Sequence, residues 1–275
     1  MYSKYHGCGN DFIVGIYDEN IDYAKFSKKI CDRHTGIGAD GLLIARIDEE
    51  KEIEMLFYNA DGSRAPMCGN GIRCFAYFCL QEKLIDSEEF EVNTLAGKMG
   101  IKVLSREPFI GKINLGRPIF SSKVLDINTN KETFLNEIIM VNGWRIKVDA
   151  VFMATHHLVV IVEDLEEVIN SDLGEKLAKH KIFTKGINVN FVQVIDNNRI
   201  IMKTYERGVG WTLACGTGAS ASFVILHQKG LCEDELTVQL ELGELKIRYN
   251  DNKEVLMEGP AVWIARNIEV NQNNV

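Results

Sequence analysis

Met67-Cys68-Gly69-Asn70-Gly71 and Ala214-Cys215-Gly216-Thr217-Gly218 are two versions of one phrase. In each, a cysteine stands immediately before Gly-x-Gly and a stretch of apolar residues at helical period. Each also follows a β-like run at the same separation: Phe57-Tyr58-Asn59 precedes Cys68 as Thr204-Tyr205-Glu206 precedes Cys215. Equal spacing on both sides points to two structurally related halves, each presenting a thiol at a helix N-terminus. Two such thiols facing each other across a cleft would form an acid/base pair acting on one carbon.

Reading outward, the first half predicts strands over Phe12–Tyr17, Leu42–Arg46 and Ile53–Asn59 and a helix over Ala24–His34. Ile72, Phe75, Ala76 and Cys79 recur at helix spacing and predict a helix over Gly71–Leu84, followed by strands near 89–93, 98–104 and 110–115. The second half repeats this order. Strands are expected over Ile187–Val194 and Arg199–Glu206, and a helix over Gly218–Gln228 with Gly230 in the C-terminal capping position. Strands near 236–240, 244–249 and 253–258 follow it. Each half is thus mostly strands around one helix, an α+β arrangement. The Gly116-Arg117-Pro118 break divides the chain into 1–118, carrying Cys68, and 119–263, carrying Cys215, with the tail 264–275 expected to return to the first half.

A chain of 275 residues suits two domains of ordinary size, and 46% hydrophobic with 25% charged residues is a globular composition. The net charge of −8 argues against a general nucleic-acid binder and gives no reason to expect an anionic membrane as partner. No apolar run approaches the ~20 residues needed to span a bilayer. The longest, Leu158–Val162, is strand-sized, and residues 1–14 lack the features of a signal peptide. Seven cysteines without a small disulfide scaffold fit a reducing cytoplasm.

A thiolate is the reactive form of cysteine, and its ordinary pKa is ~8.5. A helix N-terminus favours it, because unpaired N–H groups and the helix dipole place partial positive charge there. The same N–H groups bind carboxylate oxygens, and flanking glycines let a ligand approach the backbone closely. The alternative use is packing, since a cysteine also serves as a small hydrophobe. Cys8, Cys31, Cys74, Cys79 and Cys232 lack the duplicated context, and packing is expected of them. A metal site is not expected: there is no C-x-x-C, and His156-His157 are adjacent. Gly36–Gly41 fits G-x-G-x-x-G but precedes a strand, so it fails as a dinucleotide fingerprint. No G-K-[ST] and no G-x-S-x-G occurs.

Further phrases join the two cysteine motifs: Lys4–Val14, Cys31–Leu42, Asn59–Ser63, Met67–Cys74, Gly186–Gln193, Tyr205–Gly208 and Ala214–Ala219. Together they closely resemble the diaminopimelate epimerase family, from the N-terminus to about Gly259-Pro260. The resemblance implies two pseudo-symmetric domains, each a curved mixed sheet around a central helix. It implies a racemase or epimerase with no cofactor, in which Cys68 and Cys215 are the proton-transfer groups. It also carries His157 and Glu206 as catalytic-site residues. Asn10, Asn59, Asn190 and Arg207 follow as substrate-binding positions, with Glu206 and Arg207 meeting the ammonium and carboxylate groups; independently of the resemblance, Gly69-Asn70 and Gly216-Thr217 would offer helix-end N–H groups to the α-carboxylate. The partner expected is a small amino acid, and a homodimer is an open assembly.

Two departures bear on the substrate. Where the family shows Gly-Asn-Pro-His, this chain has Ala154-Thr155-His156-His157, and Trp211 stands where the family has a glutamate. Intact catalytic residues beside altered recognition residues, Thr155 and Trp211, suggest a different side-chain specificity, with histidine leading as in the family's histidine racemases. An indole wall suits a flat or cationic side chain. Diaminopimelate or lanthionine is the alternative, and a ligand-binding or thiol redox protein is the reading from another class.

Overall fold

The computed structural model describes residues 1–50 and 52–270. Among them are seventeen strands and five helices, an α+β architecture. The chain forms two compact units, one of residues 1–114 and 258–275, the other of residues 115–257. The sequence reading set these boundaries at 118/119 and 263/264. Part of the expected returning tail, residues 271–275, lies outside the described residues.

In the first unit, β1 (Tyr2–Gly7) pairs antiparallel with β2 (Asn10–Ile16), and β2 pairs parallel with β3 (Gly41–Ile47) across α1 (Tyr23–Ile30). β3 pairs antiparallel with β4 (Ile53–Asn59). The helix α2 (Gly69–Gln81) then carries the chain to β5 (Glu89–Thr94), which pairs parallel with β4. β6 (Gly97–Arg106) and β7 (Phe109–Asn114) extend the sheet antiparallel. The second unit begins with β8 (Glu137–Val141), antiparallel to β9 (Trp144–Met153). From β9 the pattern repeats. β9 is antiparallel to β10 (Thr155–Ile161), and β10 is parallel to β11 (Asn188–Asp196) across α3 (Leu165–Ile169) and α4 (Leu173–Ala178). β11 is antiparallel to β12 (Arg199–Glu206), which also pairs with the short β13 (Gly210–Thr212). The helix α5 (Gly216–Gln228) leads to β14 (Glu235–Leu240), parallel to β12, and β15 (Gly243–Tyr249) closes antiparallel. β16 (Val255–Pro260) leads into β17 (Val262–Ile268), which pairs antiparallel with β1.

Each thiol-bearing helix is therefore the crossover between two parallel strands, which explains the duplicated strand–motif–helix spacing. α5 is apolar on all sides and almost wholly buried, and most of α2 is buried too. Lys229 caps α5 and Gly230 takes a positive φ just beyond it, the left-handed step that glycine adopts at no steric cost.

Strand alternation sorts the side chains of the second sheet. Leu158, Val160, Val189, Phe191, Ile201 and Tyr205 form a core with Leu165, Val168, Leu177 and Ala178 of α3 and α4. Residues of opposite parity, among them His157, Asn190, Met202 and Thr204, face α5, where Ser222 meets Met202. In the first sheet Ile13, Leu42, Ile44 and Leu56 pack with α1, leaving Asn10, Phe12 and Phe57 on the α2 face. The sequence reading omitted β1, β8, β9, β13, β17 and the two short helices. β9 is exposed along its first half and buried along its second, so it carries no single period.

Candidate active site

Cys68 and Cys215 are the N-cap residues of α2 and α5, both in extended backbone conformation. A cap precedes the helix, so each thiol lies beside the N–H groups of the first turn. The Cys215 Sγ accepts from the Gly218 N–H at 3.4 Å, whereas Cys68 makes no side-chain cap bond.

In the second unit, Thr217 Oγ1 lies 3.5 Å from Cys215 Sγ and 3.0 Å from His157 Nε2. The other ring nitrogen of His157 faces Asn190 Nδ2 at 3.2 Å. Asn190 Nδ2 also donates to the Leu158 carbonyl at 3.0 Å, and its Oδ1 accepts from Thr204 Oγ1 at 3.1 Å. His157 is fully buried, and burial, aided by the charge of His156 and Arg207, lowers its pKa to about 3. Its ring is therefore neutral. Glu206 accepts from Thr212 Oγ1 at 2.8 Å, on the same face of the sheet as Asn190. The backbone N–H of Arg207 donates to Asn188 Oδ1 at 2.9 Å, and its exposed guanidinium donates to the Lys185 carbonyl.

In the first unit, Cys68 Sγ donates to Asn10 Oδ1 at 3.5 Å, and Asn70 Nδ2 donates to the same oxygen at 3.3 Å. Asn10 Nδ2 donates to Asp40 Oδ2 at 2.7 Å. Behind Asn70 stands Arg73, fully buried in α2, which donates to Asn70 Oδ1 and to the carbonyls of Gly69 and Pro260. Asp11 binds Lys4 and Arg33, and Arg33 also binds Asp40. Burial pushes the Asp11 carboxyl up, but the bonds from Arg33 and Lys4 hold it below its usual range. Asn59 shares the α2 face by strand parity, and its amide donates to Ser63 Oγ in the adjoining turn.

The structure thus gathers Asn10, Gly69 and Asn70 around Cys68, and His157, Asn190, Gly216 and Thr217 around Cys215. Thr155 shares the parity of His157 and faces the α5 side. Trp211 is a correction. It pairs with Tyr205, and its ring packs on Tyr205 and Phe191 in the core beneath α3 and α4. Alternation sends its indole to the face opposite Cys215, so it forms no wall beside that thiol. His156, also of opposite parity, packs against Phe152. Sequence reasoning missed Arg73, Asp40, Thr204 and Thr212. Only Arg73 left a signal, as a charge inside an otherwise apolar helix. Cys8, Cys31, Cys74 and Cys79 are buried packing residues, and Cys232 is partly buried. Among the described residues no group of three or more His, Cys, Asp or Glu is placed to hold a metal, and no helix is long and apolar enough to cross a membrane.

The fold itself has counterparts among solved structures. The crystal structure of a probable proline racemase from Agrobacterium radiobacter, with bound carbonate, matches with a TM-score of 0.71 at 14% identity, covering 98% of this chain and 93% of that one. The family model described as diaminopimelate epimerase matches residues 2–120 and 150–264. A diaminopimelate epimerase of Alkaliphilus metalliredigens is 36% identical over 275 residues, 98% of this chain and 97% of that protein. Another, of Caldanaerobacter subterraneus subsp. tengcongensis, is 38% identical over 272 residues, 96% of this chain and 97% of that protein. The chain belongs to the diaminopimelate epimerase family, and it is an isomerase of the kind that works without pyridoxal phosphate.

Proposed function

We propose that the protein epimerises diaminopimelate, inverting one Cα by proton transfer through Cys68 and Cys215. Likeness to relatives named diaminopimelate epimerase over nearly the whole chain supports this substrate above others. The α-proton of an amino acid is a very weak acid, so the developing carbanion needs stabilisation. The helix-end N–H groups at Gly69-Asn70 and Gly216-Thr217 would receive the α-carboxylate, as preorganised donors that stabilise charge as it develops. One cysteine, as thiolate, takes the α-proton, and the other, as thiol, returns a proton to the opposite face. His157 and Glu206 support the chemistry on the Cys215 side, with Glu206 the acceptor for the substrate ammonium and Arg207 a carboxylate partner. No metal or cofactor is required. A cytoplasmic setting and a homodimer belong to the same proposal.

Histidine is the second reading, favoured by Thr155 on the α5 face where the family shows asparagine. Its other support, Trp211, lies on the wrong face of the sheet. Incubation in D₂O with LL-diaminopimelate or L-histidine tests both readings. Deuterium is expected at Cα of diaminopimelate, faster than of histidine, and both Cys68→Ala and Cys215→Ala are expected to abolish exchange. Exchange confined to histidine overturns the substrate, and near-normal exchange in either variant overturns the two-cysteine reaction.

A further inference from the structure

We infer that Asp40, held by Arg33 at the end of the Gly36–Gly41 bend, is a positioning residue that fixes which way the amide of Asn10 faces the substrate. This rests on the reading above, in which Asn10 belongs to the substrate-binding set.

The glycine-rich bend is shaped by its own packing. It folds back over the end of α1, where the Ile37 and Gly38 N–H groups donate to the Ile30 carbonyl and the Ala39 N–H to the Cys31 carbonyl. A Cβ on Gly36 would lie 2.3 Å from the Lys29 carbonyl oxygen, and Gly38 has a φ of +77°. Both positions therefore call for glycine. The bend runs into β3, whose parallel register sets Gly41 beside Phe12 and so brings Asp40 beside Asp11. The two aspartates exchange bonds. The Asp40 N–H donates to Asp11 Oδ1 and the Asp11 N–H to Asp40 Oδ2, both at 3.1 Å. Glycines that fail as a dinucleotide fingerprint thus serve to deliver one carboxylate.

Two neighbouring carboxylates repel unless cations stand with them. Arg33 Nη2 lies 2.7 Å from Asp11 Oδ1 and 2.8 Å from Asp40 Oδ1, and its Nη1 donates to Asp11 Oδ2 at 3.1 Å. Lys4 Nζ adds a contact of 3.0 Å to Asp11 Oδ2. Asp11 is buried, whereas the Arg33 and Asp40 side chains are 55% and 45% exposed. An ion pair that open to water contributes little to stability. The consequence of holding Asp40 lies instead at Asn10, whose Nδ2 donates to Asp40 Oδ2 at 2.7 Å.

The two ends of a carboxamide have nearly the same shape, so its partners decide its orientation. For Asn10 both ends are decided. A carboxylate only accepts, so the end facing Asp40 is Nδ2. At the other end the Arg73 guanidinium, which only donates, meets Asn70 Oδ1 at 2.9 Å, and Asn70 Nδ2 then donates to Asn10 Oδ1 at 3.3 Å. A reversed Asn10 would set its oxygen against the Asp40 carboxylate and its N–H groups against those of Asn70. Arg33 acting through Asp40 and Arg73 acting through Asn70 therefore fix one amide from opposite sides. Asn10 Oδ1 lies 3.5 Å from Cys68 Sγ, which places the oriented amide beside the cysteine of this unit. A preset amide offers the substrate the same group at every encounter, with no ordering cost left for the moment of binding.

A double-mutant cycle on the whole protein tests this. Asp40→Ala is expected to lower kcat/KM for diaminopimelate about ten-fold or more, the effect of losing one hydrogen bond to a charged group. Asp40→Asn keeps the shape but leaves one oxygen for the donors of Asn10, Asp11 and Arg33, and it is expected to behave like Asp40→Ala. Asn10→Ala is expected to lose at least as much, and adding Asp40→Ala to it to cost nothing further. Losses that multiply, or an Asp40→Ala variant within about two-fold of wild type, overturn the role. Nuclear magnetic resonance reads the amide itself, whatever the substrate. The Asn10 side-chain amide signal is identified by its loss in Asn10→Ala. One of its protons is expected downfield in the wild type and upfield of that position in both Asp40 variants. An unmoved signal overturns the positioning even where activity falls. A wild-type protein that exchanges no α-proton of diaminopimelate refutes the substrate reading instead, and the amide signal then decides the positioning by itself.

Discussion

Gly71 and Gly218 hold the same place in the duplicated motif, and their replacement by alanine is expected to have unequal effects. A Cβ on Gly218 would lie 2.1 Å from Asn190 Oδ1 and 3.2 Å from Cys215 Sγ. Asn190 has no room to yield, because Leu158, His157 and Thr204 fix its amide in the buried core. A Cβ on Gly71 would meet Phe12 Cζ at 3.3 Å and Cys68 Cβ at 3.4 Å, close contacts that a small ring movement relieves. Neither glycine has a positive φ, so alanine is tolerated by both backbones. Overpacking a buried site costs ~1–3 kcal/mol. Displacing Asn190 adds ~1–3 kcal/mol for a buried polar group left unpaired. Gain in helix propensity returns at most ~1 kcal/mol. Gly218→Ala is therefore expected to destabilise by about 1–6 kcal/mol, while Gly71→Ala stays within about 1 kcal/mol of wild type. Urea unfolding followed by circular dichroism measures both, and Cα exchange in D₂O is expected to fail in Gly218→Ala. Equal stabilities, or a larger loss at Gly71, would falsify the packing assigned to Asn190.

His157 gives a pH prediction. Its folded-state pKa is lowered to about 3, so the unfolded chain binds its proton first as pH falls below ~6.5. Stability from this group is complete above that pH and is lost on acidification at about 1.4 kcal/mol per pH unit, down to the folded pKa. In His157→Gln this slope is absent, so the stability gap to wild type is expected to narrow from pH 7 to 5; a constant gap in urea titrations sinks the idea. Trp211→Leu is expected to cost about 1–2 kcal/mol, less than the ~3–5 kcal/mol for truncating a fully buried aromatic. It is expected to leave the ratio of kcat/KM for diaminopimelate over histidine unchanged, and a shift in that ratio would return the indole to the substrate.

The sequence by itself determined the parts that repeat. Cysteine before Gly-x-Gly, a helical apolar period after it and a β-like run before it are local signals, and they located α2, α5, β4 and β12. Less periodic segments escaped: β9 changes from exposed to buried along its length, and α3 and α4 are too short to show a period. Site membership was legible for residues next to the cysteines, because chain adjacency guarantees proximity. Which face a strand residue takes was not legible at Trp211, since a shift of one position in β13 sends a side chain from the thiol to the opposite core. Nor could sequence distinguish Gly71 from Gly218, or Cys68 from Cys215. Those differences come from Asn10, Asp40, His157 and Asn190, remote in the chain from the cysteine motifs. Donor and acceptor polarity belongs to the network that the folded strands assemble, and no single motif contains it.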